Sequence, residues 1–135
     1  LPGRGVSLVS YDYFSDDELR CKCGCGKALM DEDFMRKLVS LRELAGFSFN
    51  LTSAYRCPMH NENVSHTGRD GPHTTGRAVD IALWGGQANW LIAHAGMHGM
   101  TGIGVKQKGN YSSRFIHVDD LSNEPNQPRP WVWSY

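Results

Sequence analysis

Two segments far apart in the chain combine residue types that bind metal ions. Residues 71–80 contain His73 and Asp80, and residues 115–119 contain His117. Imidazole nitrogens and carboxylate oxygens are ligands that zinc takes readily, and a catalytic zinc site uses three protein ligands while water occupies the fourth position. His73, Asp80 and His117 are therefore candidate ligands of one catalytic zinc ion, although isolated histidines are more often surface or core residues.

The local pattern around these residues indicates how they can meet. Residues 78–83 (Ala-Val-Asp-Ile-Ala-Leu) predict a strand that carries Asp80, with His73 in the loop before it. Residues 114–119 predict a second strand, in which alternation turns His117 toward one face. One loop ligand and two strand ligands can then converge on one side of a sheet.

The remaining periodicities predict an α+β domain. Residues 31–45 form the clearest helix, because apolar residues recur at helical spacing and Gly46 ends the pattern. The other predicted elements are a capped helix at 15–19, a helix at 87–98, strands at 47–52 and 101–106, and a polar active-site loop at 57–77. We expect a small, mostly antiparallel sheet with helices packed on one side, in a single domain that covers residues 1–135.

Size and charge argue against several classes of partner. The 135 residues suit one domain with its own core. The 14 basic and 14 acidic residues are interspersed and cancel, so no nucleic-acid partner is expected. No apolar run approaches the roughly 20 residues of a membrane span. No signal-peptide pattern opens the sequence, which leaves secretion undecided. We expect a monomer.

Four cysteines form a second group of candidate functional residues. Cys21, Cys23 and Cys25 lie in the turn-rich N-terminal segment, residues 1–30, and Cys57 follows much later. Disulfides, a structural metal site with four thiolates and reduced thiols are all compatible with the sequence. The Cys-x-Cys spacing departs from the usual Cys-x-x-Cys pairs of zinc sites. A bridge within Cys-x-Cys is strained, so a disulfide would more readily join the segment to Cys57. We predict a structural role, by disulfide or by metal, without a choice between them.

Most of the chain resembles a known group of peptidases. The matching segments occur in the family's order and span about residues 50–135. They are residues 52–58 (Thr-Ser-Ala-Tyr-Arg-Cys-Pro) with Asn61 or Asn63 after them, 73–80, 102–104, 115–119 and 129–135. The chain resembles the zinc D-alanyl-D-alanine metallopeptidases of the peptidoglycan-cleaving LAS group, peptidase family M15, which share their fold with the Hedgehog signalling domain.

The resemblance implies an activity, a cofactor and a partner. It implies a peptidase that uses one Zn²⁺, held by His73, Asp80 and His117, to hydrolyse stem or cross-link peptides of peptidoglycan as a carboxypeptidase or an endopeptidase. Arg56 matches the family arginine that stabilises the oxyanion at the scissile carbonyl. Such an enzyme acts on the bacterial cell wall, as a phage-encoded lytic or virion protein or as an exported bacterial enzyme. The alternative is a non-catalytic, zinc-containing binding module of the same fold.

The general base departs from the family pattern. Family members often place Glu three residues, or His two residues, before the last zinc ligand, and Arg114 and Phe115 occupy these positions here. Asp119 lies two residues beyond His117, on the same face of the strand and about 6–7 Å along it. Asp119 is predicted either as the catalytic base or as a partner that orients His117 or Arg56.

Other aromatic and histidine side chains are candidates for a substrate groove. His66, in the polar loop, and Trp84, after the first site strand, are predicted to border it, and His66 is also a secondary candidate for catalysis. Trp133 is expected to pack against the body of the domain. His94 and His98 lie four residues apart on a predicted helix, but the residue after His94 is not the Glu of a zincin helix. We expect these two to line a helix face.

Overall fold

One five-stranded sheet organises the chain. The structure is a computed structural model that describes residues 11–135, and residues 1–10 of the predicted domain lie outside the described residues. The strands are β1 (Leu51–Ser53), β2 (Ala78–Ile81), β3 (Gly102–Lys106), β4 (Phe115–Asp119) and β5 (Trp131–Ser134). Their order across the sheet is β1-β2-β4-β3-β5, and every pairing is antiparallel except the parallel pairing of β3 with β5. The predicted mostly antiparallel sheet is confirmed.

Four α-helices accompany the sheet, and their ends follow from capping residues. They are α1 (Asp16–Leu19), α2 (Glu32–Ala45), α3 (Pro58–Val64) and α4 (Gly85–Ala95). Ser15 and Glu18 form a capping box on α1, and Asp31 caps α2 by accepting from the amide of Phe34. Gly46 ends α2 in the left-handed region at φ 74°, where glycine carries no steric penalty. Among residues 11–135, no helix is long and apolar enough to cross a membrane.

The hydrophobic core lies between the two long helices and one face of the sheet. Its members from α2, α4, β2 and β4 are Phe34, Met35, Leu38, Leu41, Ala88, Leu91, Ala95, Val79, Ile81, Ile116 and Val118. Alternation along β2 and β4 sends the core residues to this face and sends Asp80 and His117 to the opposite face. The helix packing predicted from the sequence is therefore confirmed, and the other face of the sheet is left for polar side chains.

Asp120 fastens α2 to the end of the sheet. Its buried carboxylate accepts hydrogen bonds from Lys37 of α2 at 2.8 Å and from Nε and Nη2 of Arg77 at 2.8 Å each. Arg77 also pairs with Asp31, the cap of α2, at 2.7 Å. A buried carboxylate with three charged donors is a structural contact between helix and sheet.

Three predicted elements differ from the structure. The strand predicted at 47–52 is short, covering Leu51–Ser53. The region predicted as a loop at 57–77 begins with α3, because Cys57 caps the helix and Pro58 occupies its first turn. The terminal segment adds β5, whose strand character depends on its pairing with β3, 29 residues earlier in the chain, rather than on its own alternation.

Candidate metal centre

The sheet register brings the three predicted ligands together. Asp80 of β2 lies directly opposite His117 of β4, and His73 comes from a short 3-10 turn, Pro72–Thr75, just before β2. Oδ1 of Asp80 is 3.2 Å from Nε2 of His73 and 3.0 Å from Nδ1 of His117. All three residues are buried, and their ligand atoms lie within 4.8 Å of one another. We call these three residues the strand cluster.

Outer hydrogen bonds fix which ring nitrogen of each histidine faces the cluster. Nδ1 of His73 lies 2.8 Å from the carbonyl oxygen of Ala54, which can only accept, so Nδ1–H donates and Nε2 is left for a metal. Nε2 of His117 lies 2.7 Å from Oδ2 of Asp119, which leaves Nδ1 on the side of Asp80. A carbonyl and a carboxylate behind the imidazoles are the usual outer partners of metal-binding histidines.

The strand cluster is electrostatically arranged for a positive charge. Burial raises the pKa of Asp80, but hydrogen bonds from His117 and His73 outweigh it and hold that pKa well below its usual range. Burial lowers the pKa of His117, but hydrogen bonds with Asp119 and Asp80 outweigh it and raise that pKa above its ordinary value. The carboxylates of Asp80 and Asp119 on either side of His117 therefore favour a proton on this ring. A divalent cation can replace this proton.

The donor set fits a metal of the zinc type. Two imidazole nitrogens and one carboxylate oxygen make three protein ligands, the number found in catalytic zinc sites. Zinc–ligand bonds of about 2.0–2.1 Å in a tetrahedron separate ligand atoms by about 3.3 Å. The separations of 3.2 and 3.0 Å around Oδ1 of Asp80 are close to that value. Small side-chain movements would complete the coordination sphere.

Asp119 is enclosed behind His117 and away from the pocket. Its side chain is fully buried, and besides His117 it accepts two hydrogen bonds from Arg129, at 2.9 and 2.8 Å. Burial raises the pKa of Asp119, but these hydrogen bonds from His117 and Arg129 lower it to about 2. A carboxylate with both oxygens in use and no exposed surface is poorly placed to take a proton from water. Of the two predicted roles for Asp119, these contacts favour orientation of His117.

Two glycines of β3 make room for this arrangement. A Cβ at Gly102, opposite Asp119, would overlap the Asp119 carboxylate and the Arg129 guanidinium. A Cβ at Gly104 would lie 2.7 Å from Nε1 of Trp133. Glycine inside a strand often marks such a close approach. The Gly-Ile-Gly motif was thus a sequence signal for two close partners: Arg129, which the sequence analysis left without a role, and Trp133, which it predicted only to pack.

Arg56 lies beside the strand cluster with its guanidinium held in place. Nε donates to Oγ of Ser53 at 3.1 Å, and Nη1 donates to Oδ1 of Asn61 at 3.0 Å. Asn61 is fully buried and donates in turn to Thr67, at 2.9 Å. The remaining nitrogen, Nη2, is 3.8 Å from Oδ2 of Asp80. The fixed guanidinium therefore presents one free edge to the cluster.

A cavity of about 540 Å³ opens onto the strand cluster. Its lining includes the three candidate ligands, Arg56, His66, Phe115, Arg129, Trp133 and Tyr135. His66, predicted from the sequence to border a substrate groove, is among these lining residues. Trp133 was predicted to pack, and it does contact His117, with ring centroids 5.0 Å apart, but it also forms part of the cavity wall. We call this cavity the site pocket.

Trp84 does not line the site pocket, so the prediction that it borders a substrate groove is wrong. β2 ends at Ile81, and the chain then turns at Gly85 into α4, with Trp84 as the residue before that helix. The Trp84 ring is 46% exposed and lies next to Tyr111, with ring centroids 5.7 Å apart. The turn carries the side chain past the end of the strand and away from the strand cluster.

His94 takes no part in the site. Its ring stacks on Trp90 at 4.2 Å, and Nδ1 lies 2.8 Å from the Trp90 carbonyl oxygen. Among residues 11–135, neither group of potential metal ligands includes His94 or His98. The sequence predicted one helix over residues 87–98 that carries both histidines, but α4 ends at Ala95, so His94 lies in its last turn and His98 in the 3-10 turn Gly96–His98 beyond it.

The four cysteines form a second group of potential metal ligands. Sγ of Cys23 is 3.5 Å from Sγ of Cys21 and 3.6 Å from Sγ of Cys57, and all four sulfurs lie within 4.8 Å of one another. All four are free thiols. A backbone hydrogen bond of Cys25 lowers the pKa of the Cys23 thiol, but hydrogen bonds with the neighbouring thiols outweigh it and raise that pKa to about 12. We call these residues the loop cluster.

The fold and the site together define the class of protein: an α+β domain with a candidate metal centre that opens onto a pocket. The family model described as Peptidase M15 matches residues 12–119, which is most of the chain. The chain belongs to the peptidase M15 family. No curated protein and no solved structure gives a significant match. The matched range includes both clusters and Arg56, whereas Arg129 and Trp133 lie beyond it.

Proposed function

We propose that this chain is a zinc-dependent peptidase that hydrolyses stem or cross-link peptides of peptidoglycan, as a D,D-carboxypeptidase or an endopeptidase. The observation that carries the proposal is the convergence of His73, Asp80 and His117 on the site pocket, beside Arg56. Membership of the peptidase M15 family supports a peptide substrate. The proposed place of action is the bacterial cell wall, for a phage lytic or virion protein or for an exported bacterial enzyme.

His73, Asp80 and His117 would hold the zinc ion, and all three line the site pocket. Zinc bound there supplies an activated water and polarises the scissile carbonyl. Asp119, locked by Arg129, holds the His117 ring with Nδ1 toward the metal position. The carbonyl oxygen of Ala54 does the same for His73. Both histidines therefore keep the tautomer that a metal requires, without rearrangement during a reaction.

Arg56 is proposed to stabilise the negative charge that develops on the substrate carbonyl oxygen. Ser53 and Asn61 hold two of its nitrogens, so the third, Nη2, is aimed toward the strand cluster before substrate arrives. A preorganised donor in a partly buried site needs no reorganisation during the reaction, which is the basis of this kind of catalysis.

His66 is proposed as the general base. Asp119 has no free oxygen, and Arg114 and Phe115 occupy the positions of the family's usual base. Among the pocket-lining residues of the part of the chain that the structure describes, His66 is the one imidazole outside the strand cluster. An exposed imidazole is an effective proton acceptor near neutral pH. His66 would take the proton of the attacking water and pass it to the leaving amine.

Digestion of purified cell walls tests the proposal. The zinc-loaded protein is incubated with peptidoglycan, and the soluble products are analysed by mass spectrometry. We expect release of D-alanine or of peptide fragments, which also identifies the cleaved bond. The release should be lost in His117→Ala and retained in the matched control His94→Ala, a histidine outside the site. Protein that binds walls but releases no product would instead support the non-catalytic binding module.

A further inference from the structure

The loop cluster is built like a metal site rather than like a pair of disulfides. We propose that Cys21, Cys23, Cys25 and Cys57 bind one structural zinc ion as four thiolates, and that this ion clamps residues 21–25 to the turn between β1 and α3. None of these residues lines the site pocket, so metal binding at the loop cluster can be tested separately from the peptidase activity.

The sulfur positions fit one central ion. Zinc–sulfur bonds of about 2.3 Å in a tetrahedron separate the sulfurs by about 3.8 Å. The separations in the loop cluster are 3.5 and 3.6 Å from Cys23 to Cys21 and to Cys57, and all four sulfurs stay within 4.8 Å. Two disulfides would divide the sulfurs into bonded pairs, whereas here the Cys23 sulfur is nearly equidistant from two partners.

The backbone explains how the unusual Cys-x-Cys-x-Cys spacing reaches one centre. Gly24 and Gly26 have φ of +90° and +80°, in the left-handed region that glycine enters without penalty. The amide of Cys21 donates to the carbonyl oxygen of Lys27 at 2.8 Å and closes the loop around the thiols. The left-handed turn at Gly24, between Cys23 and Cys25, curls the segment, so that its three thiols surround one centre instead of lying in a row along an extended chain.

Backbone amides already point at two of the sulfurs. The amide of Cys57 donates to Sγ of Cys21 at 3.3 Å, and the amide of His60 donates to Sγ of Cys57 at 3.4 Å. Such donors stabilise thiolate ligands and orient them. Binding would displace the thiol protons to solvent without any change in oxidation state.

The loop cluster is also connected to the strand cluster, because the peptide bond between Arg56 and Cys57 joins a residue of one site to a residue beside the other. Cys57 follows Arg56 directly and caps α3, which carries Asn61, the residue that holds Nη1 of Arg56. The amide of Tyr55 donates to the carbonyl oxygen of Leu19 at 3.3 Å, so the same turn is tied to the N-terminal segment on its other side. Zinc in the loop cluster would position Arg56 without contacting substrate.

Zinc counting on the full chain tests the proposal. We expect two zinc ions per wild-type chain, one in His117→Ala and one in Cys25→Ser, measured by elemental analysis after purification with zinc. Cys25 is exposed, so its substitution leaves the core intact. The matched control Lys27→Ala changes an exposed side chain of the same loop and should keep both ions. Cys25→Ser should also lower Tm by about 5 °C or more.

Two measurements on the wild-type chain guard against a variant that fails to fold. Cobalt(II) added to metal-free protein should give the strong near-ultraviolet absorption of thiolate-to-cobalt charge transfer, and an organomercurial reagent should release one zinc ion per chain and leave the other. A single zinc ion that disappears in His117→Ala would overturn the proposal. So would a mass that rises on reduction, because that increase reports disulfides.

Discussion

The two clusters of this chain use different architectures and teach different lessons about metal sites. The strand cluster sets three ligands on adjacent strands and a preceding turn, buried, with outer hydrogen bonds from Ala54 and Asp119 and an open pocket in front. The loop cluster sets four thiols on turns, two of them exposed, with backbone amides as its only outer donors among the contacts described. Three ligands with a pocket leave room for chemistry, whereas four ligands close the sphere and serve stability.

The largest effect is expected from the loss of a strand-cluster ligand, which should leave metal binding at the loop cluster unchanged. His117→Ala should abolish peptide release and remove the strand-cluster metal, because it deletes a ligand and leaves Asp119 without its imidazole partner. The loop-cluster metal should remain. Elemental analysis alongside wall digestion checks both. Full metal content with no activity would mean that His117 acts otherwise than as a ligand.

His66 tests whether the pocket adds a base to the strand cluster. His66→Gln keeps a polar side chain and removes the basic nitrogen, so turnover should fall by about 10²–10⁴-fold with zinc content unchanged. The acidic limb of the pH–rate profile should disappear with it. A variant with normal turnover and an unchanged limb would assign the base to another group.

Arg56 tests the electrostatic contribution. Arg56→Ala should lower turnover by about 10²–10³-fold while zinc affinity changes little, because the guanidinium is 3.8 Å from Asp80 and faces the pocket. Arg56→Lys should recover only part of the rate, since a point charge cannot keep the hydrogen bonds to both Ser53 and Asn61. Steady-state kinetics and metal analysis on the same preparations separate the two effects. A parallel loss of zinc would make Arg56 a structural partner of Asp80.

Substitution of the neighbouring carboxylates Asp119 and Asp120 tests which of them supports zinc binding at the strand cluster. Asp119→Asn should weaken zinc binding by about 10–100-fold with a modest loss of turnover at saturating zinc, because it disturbs the partner of His117. Asp120→Asn is the matched control: it loosens α2 from the sheet and should lower Tm without changing zinc affinity. If Asp119→Asn instead retains zinc and loses turnover by about 10²–10⁴-fold, the side chain is the base.

The smallest expected effect is a pH dependence confined to the strand cluster. The raised pKa of His117 stabilises the metal-free fold fully below the unfolded value of about 6.5, and this contribution is lost as pH rises through the folded pKa. Tm of the metal-free chain should therefore decrease over that window, and zinc affinity should increase as the competing proton leaves. Thermal scans and zinc competition at several pH values measure both. His117→Gln should remove the trend in Tm.

Local sequence patterns were enough to find the elements and the ligands that they carry. Capping residues and helical spacing predicted α1 and α2, and strand alternation put His117 and Asp119 on one face. These features depend on neighbours a few residues apart, and such neighbours determine backbone conformation and side-chain direction. The direct pairing of Asp80 with His117 was not predicted, because it depends on the register between β2 and β4.

Contacts between distant segments decided the rest. Parallel pairing of β5 with β3 brings Arg129 and Trp133 to the strand cluster, and that pairing encloses Asp119 and favours orientation over proton transfer. The turn into α4 removes Trp84 from the pocket, and the chain path after β1 brings Cys57 to three cysteines more than 30 residues away. Burial and strand pairing depend on how the whole chain packs. Distant segments come together because the core forms as a unit, and their contacts leave no pattern in the local sequence. The sequence alone determined which residues could bind a metal, and the tertiary structure decided which of them meet and which are open to substrate.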